Sequence, residues 1–179
     1  PNECGAFWYQ WFPRDRHFID HDEVSQRYLE QIRFAINFPS EWFSKPVLFK
    51  NLNAGQRLRP ISKAFPDARV IYLKRNFDQT VSSILRARRC LGVRSGKIWS
   101  IRPKEYQIIE KLPEREMCQE QVSLLQSQIE EDLSLFSKEN FRILNYDEIS
   151  PKVIDDLVKW LGVRPRHGAQ SPEIMASRK

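Results

Sequence analysis

Arg75 and Ser83 stand eight residues apart, at the end of an apolar run and inside the segment that follows it. A guanidinium at a strand end and a hydroxyl on the next helix can close on one phosphate. The arginine gives charged, two-pronged donors and the serine a neutral one. A plainer arrangement is open too, with Ser82 or Ser83 bonding within its helix and Arg75 pairing with Asp78. Lys50 is a second cation at the end of a short apolar run, Pro46 to Lys50. Ligands of open parallel sheets bind where strands end and helices begin, because unpaired amides and a partial positive charge face outward there.

The elements that must position these groups follow from periodicity. Pro46 to Lys50 lacks polar alternation, as a strand covered on both faces would. Leu58 to Ala64 reads as a short helix. The turn Phe65-Pro66-Asp67 leads to a second buried strand, Arg69 to Leu73, and Asn76 to Cys90 is a helix with Asn76 or Asp78 as its cap. Upstream, Val24, Tyr28, Ile32 and Ile36 predict a helix from about Asp22 that Pro39 closes. Leu91 to Leu112 is loop with some helix. The longest helix runs from Pro113 to about Lys138, Phe141 to Leu144 is a third strand, and Pro151 to Leu161 is a last helix stopped by Gly162. This alternation predicts an α/β fold, a parallel sheet with flanking helices, in one domain spanning residues 1–179.

Three stretches carry a family resemblance. FPDARVIYLKRNFDQTVSSIL resembles the 3′-phosphate-binding segment of sulfotransferases that use 3′-phosphoadenosine 5′-phosphosulfate (PAPS). Phe77 stands where that family usually has Pro. KPVLFKNLN resembles the strand that brings a lysine to the sulfonate, and ILNYDEISPKVIDDLVKWLGV the later strand and final helix, with its acidic pair exchanged. The resemblance implies a P-loop-like sulfotransferase fold, PAPS as donor, an acceptor hydroxyl or amine on a glycan or small molecule, and no metal. It assigns the 3′-phosphate to Arg75 and Ser83, and the sulfonate and bridging oxygen to Lys50, with Asn51 and Asn53 as neutral donors nearby. The opening PNECGAFWYQWF is similar to microbial glycan and lipopolysaccharide sulfotransferases. Many relatives carry a histidine soon after the lysine; here Leu52, Asn53 and Ala54 follow it. His17 and His21 are the alternative bases, with Glu23 or an upstream carboxylate beside them. Arg166, next to His167, falls where relatives close a loop over the cofactor.

No Gly-containing basic loop of the kind that wraps a 5′-phosphosulfate precedes these segments. The expectation is an N-terminally truncated domain, inactive alone, with a flexible tail at 164–179. Composition sets the remaining bounds. The 179 residues carry 29 Lys and Arg against 23 Asp and Glu, a net charge of +6 that favours an anionic partner. Three scattered cysteines make neither a metal signature nor a disulfide framework. Neither a signal nor a transmembrane run is visible, so a cytoplasmic location is expected. Oligomeric state leaves no mark in the sequence.

Two rivals share some of these features. A P-loop-like small-molecule kinase has cations at strand ends but needs magnesium ligands and a lid, and neither is visible. A non-enzymatic RNA- or anion-binding module suits the charge, yet the aromatics crowd the N-terminal segment instead of alternating with basic residues. No nucleic-acid partner is therefore expected.

Overall fold

The computed structural model describes residues 5–164. Two parallel strands, β1 (Val70–Lys74) and β2 (Phe141–Asn145), pair in register from Val70 opposite Phe141 to Lys74 opposite Asn145. Seven α-helices accompany them among the described residues: α1 (Gly5–Trp8), α2 (Gln26–Phe43), α3 (Leu58–Ala64), α4 (Phe77–Cys90), α5 (Tyr106–Ile109), α6 (Glu114–Leu133) and α7 (Pro151–Leu161). The expected α/β class, with a small parallel sheet flanked by helices, is what the chain adopts. A parallel pair demands a long crossover, and α4, α5 and α6 supply it.

Three apolar clusters hold these parts together. Val81 and Leu85 of α4 meet Met117, Cys118 and Val122 of α6, with Ile98 and Ile109 closing the space between. Leu58, Leu133 and Phe136 pack beneath the sheet against Val70, Tyr72 and Phe141. Trp8, Phe12, Ile19, Val24, Leu29 and Ile32 form the third cluster, which accounts for the aromatic crowding of the first twenty residues. Each stripe recurs at helical spacing, so one face of each helix leaves water.

Several boundaries differ from expectation, each for a physical reason. His21–Glu23 is a separate 3-10 turn closed by a reciprocal capping box with Asp20 as its cap, and α2 begins only after the Ser25 cap. Pro39 does not close α2, which runs on to Phe43 and stops at Ser44 in a left-handed conformation. A ladder of rings, Phe34 to Phe38 at 5.8 Å and Phe38 to Trp42 at 5.9 Å, spans the proline and offsets its lost hydrogen bond.

Pro46 to Lys50 is not a strand. Leu48 is 80% exposed, and Phe49 turns toward the rings of Phe7 and Trp8 at 5.7 and 5.2 Å. An extended run without a neighbouring ladder gains no sheet hydrogen bonds, and here one aromatic contact decides its path. The sheet is also less covered than expected, since Leu73 and Ile143 are exposed. Helix α6 ends at Leu133, short of Lys138, with Phe136 buried just beyond it. Pro113 caps that helix instead of occupying its first turn. Glycine stops α7 as expected, because Gly162 has φ of 66°.

Asn76, not Asp78, caps α4: its side-chain oxygen accepts from the Gln79 amide at 3.1 Å. Replacing Asn76 with Ala should cost about 1 kcal/mol of stability, measured by urea unfolding. An unchanged midpoint would remove the cap from the account of how α4 starts.

Candidate functional site

Arg75 and Tyr146 meet at the carboxyl edge of the sheet. Because Lys74 lies opposite Asn145, the residues that leave the two strands, Arg75 and Tyr146, emerge side by side. The Arg75 guanidinium stands 5.5 Å from the Tyr146 ring centroid. Lys74 is tied to Glu130 of α6, so of the two cations ending β1 only Arg75 is presented outward. The Asp78 alternative is not realised: the guanidinium rests on an aromatic face, and Asp78 is exposed in the first turn of α4. In the sequence Tyr146 is only one member of the run Tyr146-Asp147-Glu148-Ile149. Its adjacency to Arg75 depends on strand register, which no local signal reports.

Asn76, Thr80 and Ser83 follow one stripe of α4, opposite the buried stripe of Val81, Leu85 and Arg88. Ser83 is half-buried and Arg75 exposed, so neither is sealed in a dry core. The Thr80 hydroxyl donates to the Asn76 carbonyl at 2.8 Å, and the Gln126 amide donates to the Arg75 carbonyl at 3.5 Å. These bonds fix the strand-to-helix corner while leaving the guanidinium outside it.

Lys50 is exposed, just after the anchored Phe49. Asn51 opens a 3-10 turn, Leu52–Gln56, its side-chain oxygen accepting from the Asn53 amide at 2.8 Å. The Asn53 side-chain oxygen is buried and accepts no hydrogen bond. Arg166 lies outside the described residues, as does His167.

The two histidines differ in what their nitrogens do. His17 Nδ1 accepts from the Arg102 backbone amide at 2.9 Å. Burial first, then the charges of Arg57 and Arg102, bring its pKa down to about 4. The ring is therefore neutral with its proton on Nε2, a donor with its lone pair already used. His21, by contrast, is exposed, and its Nδ1 lies 2.8 Å from Asp20 Oδ1. Burial works against the ionised form of Asp20, but the His21 amide and the Arg59 guanidinium outweigh it and hold the carboxyl below its usual range. Of the two, His21 is the one oriented by a carboxylate, as a proton acceptor would need to be. The Ile19 amide donates to the Gln56 carbonyl at 3.0 Å, tying the histidine loop to the turn that follows Lys50.

The low pKa of His17 makes a pH prediction. An unfolded chain protonates this histidine near pH 6.5 whereas the folded one resists to about 4, so the unfolded state binds more protons in between. Stability should be fully present above pH 6.5 and decline by on the order of 3 kcal/mol as pH falls through that window. His17→Asn keeps an acceptor near Nδ1 and should flatten the decline relative to the parent in urea titrations. Parallel curves for the two proteins would refute it.

Comparison with known families places the chain as a whole. A model of the sulfotransferase family matches residues 9–162. The chain belongs to the sulfotransferase family. No curated protein and no solved structure matches it. In this sulfotransferase the matched span contains Lys50, Arg75, Ser83 and Tyr146, together with both strands. Among the described residues no group of three or more His, Cys, Asp or Glu side chains is placed to hold a metal. No described helix is long and apolar enough to cross a membrane.

Proposed function

We propose that this sulfotransferase transfers the sulfonate of PAPS to an acceptor hydroxyl or amine, on a glycan or small molecule, with adenosine 3′,5′-bisphosphate as the product. The observation that carries the reading is Arg75: an outward guanidinium at a strand end, backed by an aromatic ring, within a span matched to the family. A nucleotide's 3′-phosphate suits that corner, because charged donors there meet a dianion without first breaking an ion pair.

The donor supplies the sulfonate and a good leaving group in the bisphosphate. The chain's tasks are to hold, neutralise and deprotonate. Arg75 and Ser83 hold the 3′-phosphate. Lys50 neutralises charge on the leaving oxygen, with Asn51 and Asn53 as neutral donors beside it. His21, set by Asp20, takes the acceptor proton, while His17 has no lone pair to offer. Arg166 would add a further contact from the chain beyond residue 164. None of these tasks requires a metal ion, and a P-loop-like arrangement of the sheet accommodates all of them.

Calorimetric titration tests this directly. Adenosine 3′,5′-bisphosphate should bind saturably and ATP should not; the opposite preference would move the protein to the kinase class.

A further inference from the structure

Three arginines gather around the segment from Tyr9 to His17, and among the described residues none forms an ion pair with a carboxylate, Arg102 acting on Glu110 only from a distance. Arg57 is 1% exposed, none of its three side-chain nitrogens has a well-formed hydrogen bond, and the Tyr9 side chain is the one polar neighbour that favours its charge against the cost of burial. Its guanidinium lies 5.5 Å from the Tyr9 ring centroid and 4.8 Å from that of Phe12. Arg14 stands over the same Tyr9 ring at 5.6 Å. Arg102 spends one guanidinium nitrogen on the Asp15 carbonyl at 2.8 Å and its backbone amide on His17. The ion pairs of this region are Arg16 with Glu23 and Arg59 with Asp20, and neither includes Arg14, Arg57 or Arg102.

A buried guanidinium with no anion beside it is among the costliest arrangements a fold can hold, and one phenol and two aromatic faces offset only part of that cost. The neighbouring groups share the deficit. Both polar atoms of the Gln56 side chain and the indole nitrogen of Trp8 are buried without partners. Nearly all of these are donors, so what the cluster lacks is an acceptor with several oxygens. A carboxylate offers two oxygens in one plane, whereas a tetrahedral oxyanion receives donors from several directions.

We infer that Arg57, with Arg14 and the Nε2 proton of His17, forms a second oxyanion site that takes a sulfate- or phosphate-type group, the Tyr9 ring standing in its place when that group is absent. The site is distinct from the Arg75 corner and does not depend on it. Two ligands carry the required chemistry: the 5′ end of the sulfonate donor, or a sulfate or phosphate ester on the acceptor.

The test is thermal unfolding of the full chain in sodium sulfate against sodium chloride at equal ionic strength. Sulfate should raise the midpoint beyond chloride. Arg57→Met should weaken the apparent sulfate affinity roughly tenfold or more. The same variant should be no less stable than the parent in chloride, because it removes an uncompensated buried charge. Should Arg57→Met fail to fold, exposed Arg14→Ala reads the same site with a smaller loss. Repeating the titration with saturating adenosine 3′,5′-bisphosphate separates the sources. Competition assigns the site to the donor's 5′ end, and undiminished sulfate binding assigns it to the acceptor. An Arg57-dependent sulfate effect in a protein that ignores the bisphosphate would sink the donor reading and leave the oxyanion site standing. A sulfate effect that is absent in the parent, or equal in the parent and both variants, overturns the inference.

Discussion

Arg75→Ala should weaken binding of adenosine 3′,5′-bisphosphate by about 1.5 to 3 kcal/mol, the range for hydrogen bonds to charged groups. In calorimetry that is a loss of roughly tenfold to 150-fold. The expectation follows from what surrounds the side chain: an aromatic face and solvent, with Lys74 already committed to Glu130. Since the guanidinium is exposed, its removal should shift unfolding by less than about 0.5 kcal/mol, so a binding defect cannot be mistaken for a folding defect. Ser83→Ala, losing one neutral donor, should cost about 0.5 to 1.5 kcal/mol of the same binding energy. Near-parental affinity in Arg75→Ala would detach the 3′-phosphate from this corner and, with it, the assignment of PAPS as donor.

Arg88→Ala should lower stability by about 3 to 5 kcal/mol, the largest effect expected for any single polar residue here. Arg88 is 1% exposed on the buried stripe of α4. Its Nε donates to Glu114 at 3.0 Å, a second nitrogen to the Arg94 carbonyl at 3.3 Å, and a third to the Lys97 carbonyl. One side chain therefore joins α4, the first turn of α6 and the loop between them. Truncation leaves two loop carbonyls and the Glu114 carboxylate without their shared donor and empties a buried position near Cys118. Glu114 is 43% exposed, so Glu114→Gln should cost no more than about 1 kcal/mol. Chemical denaturation of both variants distinguishes a structural hub from a surface ion pair. A loss below 1 kcal/mol in Arg88→Ala would show that the loop carries its own conformation.

The same comparison shows which basic residues are available to ligands. The cluster Arg94-Ser95-Gly96-Lys97 looks like an anion-binding loop by composition, but its backbone serves Arg88, and Lys97 pairs with Glu110 at 3.0 Å. Burial opposes ionisation of Glu110, yet the Ile98 amide and Lys97 hold its carboxyl below the usual range. Net charge thus overstates what is free to meet an anion. Arg57, unremarkable in the sequence, is the cation whose surroundings ask for one.

Short-range pattern alone was enough for β1, Arg75 and α4, and for α7 with its glycine stop. Each of these is encoded within about twenty residues by an apolar run, a cap and a helical stripe, so no distant segment needs to be known. The parallel sheet followed from the same alternation. What the residues could not decide is what depends on chain segments far apart: that Arg75 meets Tyr146, that Arg57 is enclosed by Tyr9 and Phe12, that His17 gives its lone pair to Arg102. Pro46 to Lys50 shows the limit most clearly, since its composition is that of a strand while its fate rests on whether a ladder partner or an aromatic cluster reaches it first. Local propensity selects an element, but pairing, burial and protonation are energies of neighbours, and only the folded chain supplies the neighbours.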